Sequence, residues 1–426
     1  MNIRHSGLAD RWLFCPEERI QRTAQIWHTV FSILNALQSM LLLFLVSRVC
    51  GSGQAGVFSL AFSIAYLMIM IGNYGVRNYQ ATDVSRCFGF REYRLHRGLT
   101  CSMMAAVSIG YVLLHGYERD KALVVLLCCL LKLIESVENV YHAEYQRVNR
   151  LDVAGKIGTI RIVAAMLVFS VTLMLSSNLV LACVCMDATA FILLTVLLLY
   201  TRPYISVASA KKPADWKKIF LICLPLFICT FFYTYICNAS KYALDRFFPE
   251  EIQGYYGMIF MPVFAINLIS NCIYGPFLVR LAEYWKENRM AQMRRFVRLQ
   301  TAGILLISVV VAGGGYLLGT QVLSLIFGQD LTEYRLPLTI LLAGSGMTAL
   351  VDFATNMLTV IRKQNILMCL YSVFAVMSFA CTGILVQRYG IEGAAYAYTI
   401  VISGQAAVMM LFVSGLLKKG NRQIAG

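Results

Sequence analysis

One apolar stretch of the sequence carries ionisable and amide residues at three- and four-residue steps: Lys132, Glu135, Glu138, Asn139 and His142. On an α-helix this spacing places most of them on one face, and Lys132 can pair with Glu135 one turn later. Charged groups persist in apolar segments when they face a polar interior or pair with each other. The pattern therefore predicts the wall of a polar cavity. The alternative is a structural ion pair, with Glu138 and His142 reaching an aqueous interface.

Two other apolar stretches carry uncharged polar residues, at Asn35 in the first and at Asn267 and Asn271 in the eighth. Amide side chains of this kind line cavities in some membrane proteins and join helices by hydrogen bonds in others. Both interpretations stay open for these three residues.

Isolated charges occur in three further apolar stretches. Arg161 lies one turn inside its stretch, where it either lines a cavity or extends its guanidinium toward water. Asp187 and Asp352 have no partner nearby in sequence. Because a carboxylate in an apolar medium is costly as an anion, these two and Glu138 are candidates for proton or cation coupling.

Enzyme motifs are absent from the sequence. None of the five histidines forms an H-x-x-x-H pair, and neither G-x-S-x-G nor a Walker A motif occurs. The 14 cysteines form no C-x-x-C pair or zinc spacing and are expected to act as small buried apolar residues. We expect no catalytic residue, no metal and no cofactor, and therefore no enzyme.

The elements that position these residues are membrane-spanning helices. The chain is 59% apolar and 14% charged, whereas soluble proteins are about one quarter charged. A spanning helix needs about 20 apolar residues, and the sequence predicts twelve all-α spans, near 26–47, 56–76, 99–116, 121–141, 157–176, 179–200, 218–238, 255–279, 299–318, 335–360, 366–386 and 392–414.

The basic residues orient these spans. Most of the 37 lysines and arginines fall in alternate segments between spans, beginning with the N-terminal arm. Cytoplasmic segments of membrane proteins are enriched in Lys and Arg. Both termini are therefore predicted to be cytoplasmic, and the net charge of +15 reflects topology rather than nucleic-acid binding.

A repeat relates the two halves of the chain. Segments 48–58 and 246–256 both begin with an arginine, have a glycine eight positions later and end with an aromatic residue. Any tight outer turn favours a glycine with positive φ, but the equal spacing favours duplication. Six spans per half would make the repeats parallel. The predicted organisation is an arm at 1–25, an N-terminal lobe at 26–200, a linker at 201–218, a C-terminal lobe at 219–414 and a tail at 415–426.

Four segments resemble the bacterial polysaccharide flippases of the multidrug/oligosaccharidyl-lipid/polysaccharide (MOP) flippase superfamily: 48–61, 72–77, 245–256 and 390–396. The resemblance implies two pseudo-symmetric six-helix lobes around a V-shaped cavity that opens alternately to each side. It also implies a polyprenyl-pyrophosphate-linked oligosaccharide substrate, met by cations. By position, these would be Arg48, Lys132, Arg161 and Arg246. The carboxylates Glu135 and Glu138 depart from a purely cationic cavity, because they partly neutralise the charge of Lys132.

The expected function is thus flipping of lipid-linked repeat units for cell-surface polysaccharide biosynthesis, in a bacterial cytoplasmic membrane. The expected partners are the lipid-linked glycan, membrane lipids and a glycan polymerase or glycosyltransferase, without nucleic acid. One alternative is a cation-coupled multidrug exporter of the same fold. A membrane-embedded polysaccharide polymerase or acyltransferase is a second, but it would require a long outer loop or a mid-membrane histidine, and the sequence has neither.

Overall fold

The computed structural model describes residues 13, 19–83, 87–201, 217–274, 283–285, 287, 289–361 and 363–422. It does not describe the side chains of 82, 264–274 and 418–422. Within the described residues, the regular structure is entirely helical. Most of the predicted arm and linker lies outside this part of the chain.

Six helices make up the first half of the described chain. They are α1 (Ile20–Asn73), α2 (Val76–Thr82), α3 (Phe90–His115), α4 (Arg119–Arg147), α5 (Leu151–Ser176) and α6 (Leu179–Thr201). Six more follow: α7 (Lys218–Phe247), α8 (Glu250–Tyr274), α9 (Met290–Gly314), α10 (Thr320–Phe327), α11 (Arg335–Val360) and α12 (Gln364–Arg422). A π-helical turn, Gly315–Gly319, joins α9 to α10.

Eight helical stretches of the described chain are long and apolar enough to span a membrane. Two of them, in α1 and α12, are 54 residues long, about 80 Å of helix against a hydrocarbon core of about 30 Å, so each crosses twice. The 29-residue α4, whose charges lower its hydropathy, and the 25-residue α8 supply the remaining two crossings. The predicted twelve-span, all-α membrane fold is confirmed, whereas the orientation of the termini stays a prediction.

Each of the two long helices bends at a glycine with positive φ. Gly51 in α1 has φ 83°, and Gly390 in α12 has φ 57°, in a region that is costly for residues with a Cβ atom. The chain therefore leaves the helical conformation at Gly51, between the first two predicted spans, and at Gly390, between the last two. Span 9 is longer than predicted, since its helical stretch runs over Met290–Phe327.

The chain divides into two compact units. The first contains Met1–Cys50 and Ala61–Phe227, and the second contains Gly51–Leu60 and Ile228–Gly426. The second unit thus includes ten residues of α1, the first turns after its bend. The predicted domain boundaries stay predictions.

Within the second unit, Gly56 and Gly254 pack against each other's helix. A Cβ atom on Gly56 would lie 1.9 Å from the backbone oxygen of Glu250, and one on Gly254 would lie 2.1 Å from that of Ser52. The two contacts are equivalent under the sequence repeat, because positions 52 and 56 correspond to 250 and 254. These glycines therefore allow close helix packing, and the alternative that they provide a positive φ is wrong.

Within the first unit, α4 is the central helix. It packs against α3, α5 and α6, and over half of its residues are buried. Small residues on α5 allow α1 to approach the same region. A Cβ atom on Gly155 would lie 2.6 Å from the backbone of Trp27, and one on Gly158 would lie 2.4 Å from the ring of Phe31. The buried face of α4 is thereby enclosed by neighbouring helices.

Candidate functional site

The buried face of α4 carries an ionic cluster. The Lys132 ammonium lies 2.7 Å from Glu135, which confirms the pairing predicted from their i,i+3 spacing. One turn later, Glu138 lies 3.4 Å from the His142 ring nitrogen. The sequence left open whether Glu138 and His142 reach an aqueous interface, and the structure places both in the interior, each 2% exposed.

Arg161, on α5, is the cation that joins this cluster from a second helix. Its guanidinium lies 2.7 Å from Glu138 and 3.8 Å from Glu135, and its side chain is 0% exposed. Its head group therefore does not reach water, and that alternative is wrong. The guanidinium instead holds two carboxylates of α4 against α5. Removing one partner of a buried ion pair of this kind strongly destabilises the folded protein.

Aromatic rings surround the Lys132 ammonium. It lies 4.5 Å from the centroid of Tyr66 and 4.9 Å from that of Phe62, both on the second half of α1. Cation–π contacts of this kind are worth about 2 kcal/mol when the cation is desolvated. Lys132 is thus held by one carboxylate and two rings, which compensate for removing its charge from water.

Arg97, on α3, is a buried cation that the sequence analysis missed. Its guanidinium donates hydrogen bonds to the backbone oxygen of Gly72, to Asn73 (3.2 Å), to Ser136 (3.1 Å) and to Asn139 (3.3 Å). It thereby connects α3 to the end of α1 and to α4. The position of Asn139, predicted to line a cavity, is explained in this structure by its bond to Arg97.

Asp187, on α6, is buried in the first unit without a hydrogen-bonding partner. Its side chain is 4% exposed, and neither carboxylate oxygen has a partner among the described residues. Glu135 is its charged neighbour. A buried anion without a partner is costly, and binding a proton or a cation removes that cost. The coupling role of Asp187 stays a prediction.

The first-unit cluster contains more cations than anions. Lys132, Arg161 and Arg97 are buried cations and Arg77, on α2, is a fourth cation near Glu138, against the anions Glu135 and Glu138. A charged Asp187 would reduce this surplus positive charge by one, and a proton on Asp187 would restore it. Protonation of this one residue would thus change the net charge of the site.

A change at Asp187 should stabilise the protein or leave its stability unaltered. Asp187→Asn removes an unpaired buried anion, whereas Glu138→Gln leaves the Arg161 guanidinium without a full counter-charge. We expect a melting temperature in detergent at or above that of the unaltered protein for Asp187→Asn, and a lower one for Glu138→Gln. An equal loss in both variants would show that Asp187 has a structural partner.

The second unit has its own polar cluster around Asp352 on α11. The Tyr233 side chain on α7 lies close to the Asp352 carboxylate. Nearby, Tyr371 and Thr355 share a hydrogen bond of 2.8 Å, and Tyr233 packs on Tyr371 edge to face. Asp352 therefore has polar side chains of another helix near it, which the sequence could not show.

The remaining predicted residues are Arg48, Arg246, Asn35, Asn267 and Asn271. Arg48 and Arg246 are exposed, and their guanidinium groups lie over the rings of Phe44 and Phe247. Asn35 is half-buried on α1. Asn267 and Asn271 lie on α8, and their side chains fall outside the described part of the chain. No group of three or more potential metal ligands occurs among the described residues.

Solved structures define the class of this fold. The chain superimposes on an inward-facing multidrug resistance MATE family transporter of the MOP superfamily with a TM-score of 0.66, 11% identity and coverage of 91% of this chain and 96% of that one. The Vibrio cholerae MATE transporter VcmN matches with a TM-score of 0.62 and 10% identity, over 94% of this chain and 98% of VcmN. A MOP superfamily transporter from Pyrococcus furiosus matches with a TM-score of 0.59 and 12% identity, over 96% of this chain and 98% of that one. The protein is a multi-pass membrane protein with a MATE-type transporter fold, not an enzyme fold.

One relative is similar along nearly its whole length. The sequence is 22% identical over 376 residues to the capsular polysaccharide biosynthesis protein CapF of Staphylococcus aureus. The aligned region covers 87% of this chain and 93% of CapF. No protein-family model matches the sequence.

Proposed function

We propose that this protein flips polyprenyl-pyrophosphate-linked oligosaccharide repeat units across the bacterial cytoplasmic membrane for cell-surface polysaccharide biosynthesis. The observation that carries the proposal is the similarity to CapF, which extends over nearly the full length of both chains. The MATE-type fold supports it, because that fold belongs to transporters. A glycan crosses the hydrocarbon only through a hydrated route, since each of its hydroxyl groups is costly to bury unpaired.

The arginines that keep exposed head groups are the best candidates for the pyrophosphate. Arg48 and Arg246 are both exposed, and a guanidinium can donate two hydrogen bonds to one phosphate. Lys132 and Arg161 are instead engaged by Glu135 and Glu138. We therefore assign Arg48 and Arg246 to contact with the substrate. We assign Lys132 and Arg161, together with Asp187, to the ion coupling of transport. The proposed partners are the membrane lipids and a glycan polymerase or glycosyltransferase acting on the same glycan.

The test is the leaflet distribution of the lipid-linked glycan in cells depleted of this protein, read with a membrane-impermeant glycan probe on oriented vesicles. We expect accumulation on the cytoplasmic face, reversed by the unaltered protein. Arg48→Ala with Arg246→Ala should restore transport poorly at normal protein level. The matched control is Arg388→Ala, an exposed arginine on the same predicted outer side. An unchanged distribution after depletion would overturn the proposal.

A second candidate function is cation-coupled multidrug export. It is favoured by the unpaired buried carboxylate of Asp187 and by the fold shared with a multidrug resistance transporter. Cells lacking the protein would then become sensitive to cationic drugs, and Asp187→Asn would abolish resistance. Unchanged drug sensitivity together with glycan accumulation would exclude it.

A further inference from the structure

A groove runs along the first unit between α3, α4 and α6, and it holds a cavity of about 550 Å³. Its walls on α4 and α6 are mostly apolar, with Tyr141 and Thr195 as their polar residues. The apolar residues are Leu130, Leu133, Ile134, Val137, Phe191, Leu194, Leu198 and Leu199. A groove of this composition in a membrane-spanning unit fits a hydrocarbon chain rather than a polar ligand.

One end of the groove is cationic. Arg91 and Arg94, one turn apart on α3, line it there with Phe90 and Tyr141, and both arginines are exposed. Arg94 lies 5.4 Å from the centroid of the Phe90 ring, which fixes its guanidinium beside the groove. The charge pattern of the sequence predicts that this end faces the cytoplasm. Two cations at the end of an apolar groove match an anionic head group attached to a hydrocarbon chain.

The length of the groove indicates which lipid it fits. Along α4 it extends from Leu130 to Tyr141, about 17 Å of helix at 1.5 Å per residue. Half of a hydrocarbon core of about 30 Å thickness is about 15 Å. The groove therefore matches one fatty-acyl chain within a single leaflet and is too short to enclose a polyprenyl chain of many isoprene units.

We propose that this groove is a binding site for an anionic phospholipid of the cytoplasmic leaflet, with its phosphate at Arg91 and Arg94 and one acyl chain against α4 and α6. The site is independent of the transported substrate. The groove lies next to the ionic cluster. Its lining residues Leu133, Ile134 and Val137 alternate along α4 with the ionic residues Lys132, Glu135 and Glu138. The lipid would thus pack on the reverse face of the helix that carries the ionic cluster.

The test measures lipid binding to the purified full chain by native mass spectrometry, with phosphatidylglycerol and phosphatidylcholine as probes. We expect the protein to retain phosphatidylglycerol preferentially, and Arg91→Ala with Arg94→Ala to weaken this binding roughly tenfold or more. The matched control is Arg295→Ala with Arg298→Ala, two exposed arginines with the same spacing near the start of α9, which should bind as the unaltered protein does. Equal loss in the control, or no preference in the unaltered protein, would overturn the proposal.

A second pair of variants tests the apolar part. Thr195→Trp places a large ring in the groove, whereas Val196→Trp, one residue along α6, lies outside its lining. Only Thr195→Trp should reduce phosphatidylglycerol binding. Displacement of bound phosphatidylglycerol by stoichiometric polyprenyl phosphate would assign the groove to the substrate's lipid tail and overturn the assignment to a membrane phospholipid.

Discussion

Arg161→Ala is expected to destabilise the protein by about 3–5 kcal/mol, the usual cost of removing one partner of a buried ion pair. The guanidinium is fully buried and lies 2.7 Å from Glu138 and 3.8 Å from Glu135. Its removal leaves the buried Glu138 carboxylate without its closest cation, with the His142 ring nitrogen 3.4 Å away. The free energy of unfolding in mixed micelles of mild detergent and SDS measures the effect.

The chain provides a matched control for Arg161. Arg289 and Glu287 form an ion pair of the same 2.7 Å length, but they are 55% and 50% exposed. Surface pairs contribute about 0–1 kcal/mol, so Arg289→Ala should change the stability little. Arg161→Met combined with Glu138→Met should recover most of the lost stability, because it removes both charges. Equal effects of Arg161→Ala and Arg289→Ala would show that the buried pair is hydrated.

Gly56→Ala is expected to destabilise the second unit by roughly 3 kcal/mol, the upper end of the usual cost of overpacking. The new methyl group would lie 1.9 Å from the backbone oxygen of Glu250 and 2.8 Å from the backbone nitrogen of Gly254. Backbone atoms cannot move aside as a flexible side chain can. The two helix segments would therefore have to separate along their whole contact.

Gly53→Ala is the control for this substitution. It lies one turn earlier on the same helix, and its methyl group would meet only the Cγ atom of Glu251, at 3.8 Å. Because alanine also favours helix over glycine, this variant should be as stable as the unaltered protein or slightly more stable. Melting temperatures and glycan transport of both variants check the prediction. Normal stability of Gly56→Ala would contradict the close packing described for Gly56 and Gly254.

The number and type of the helices could be predicted from the sequence because apolar length and charge placement report directly on membrane spans. The connections were less predictable. The segment around Gly51 has the glycines and polar residues of a turn, but the non-helical conformation there is confined to Gly51 itself. The roles of Gly56 and Gly254 were also missed, because a close approach between backbones depends on which helices meet.

The candidate site was predictable where its contacts lie within one helix. The pair of Lys132 and Glu135 follows from their spacing, whereas the pair of Glu138 and Arg161 needs the packing of α4 on α5. Arg97 lies just before the predicted start of the third span at residue 99, so the sequence predicts it to be a cytoplasmic basic residue. Its spacing from Thr100, Cys101 and Met104, which share one buried face of α3, was the signal that would have identified it.

The ion pair between α4 and α5 also bears on how the chain enters the membrane during synthesis. A charge within the bilayer is costly to insert, and α4 emerges from the ribosome with Glu138 before Arg161 has been made. Arg161 lies 23 residues further along the chain. We therefore expect stable integration of α4 to follow the synthesis of α5, so that the two helices enter the bilayer as a pair.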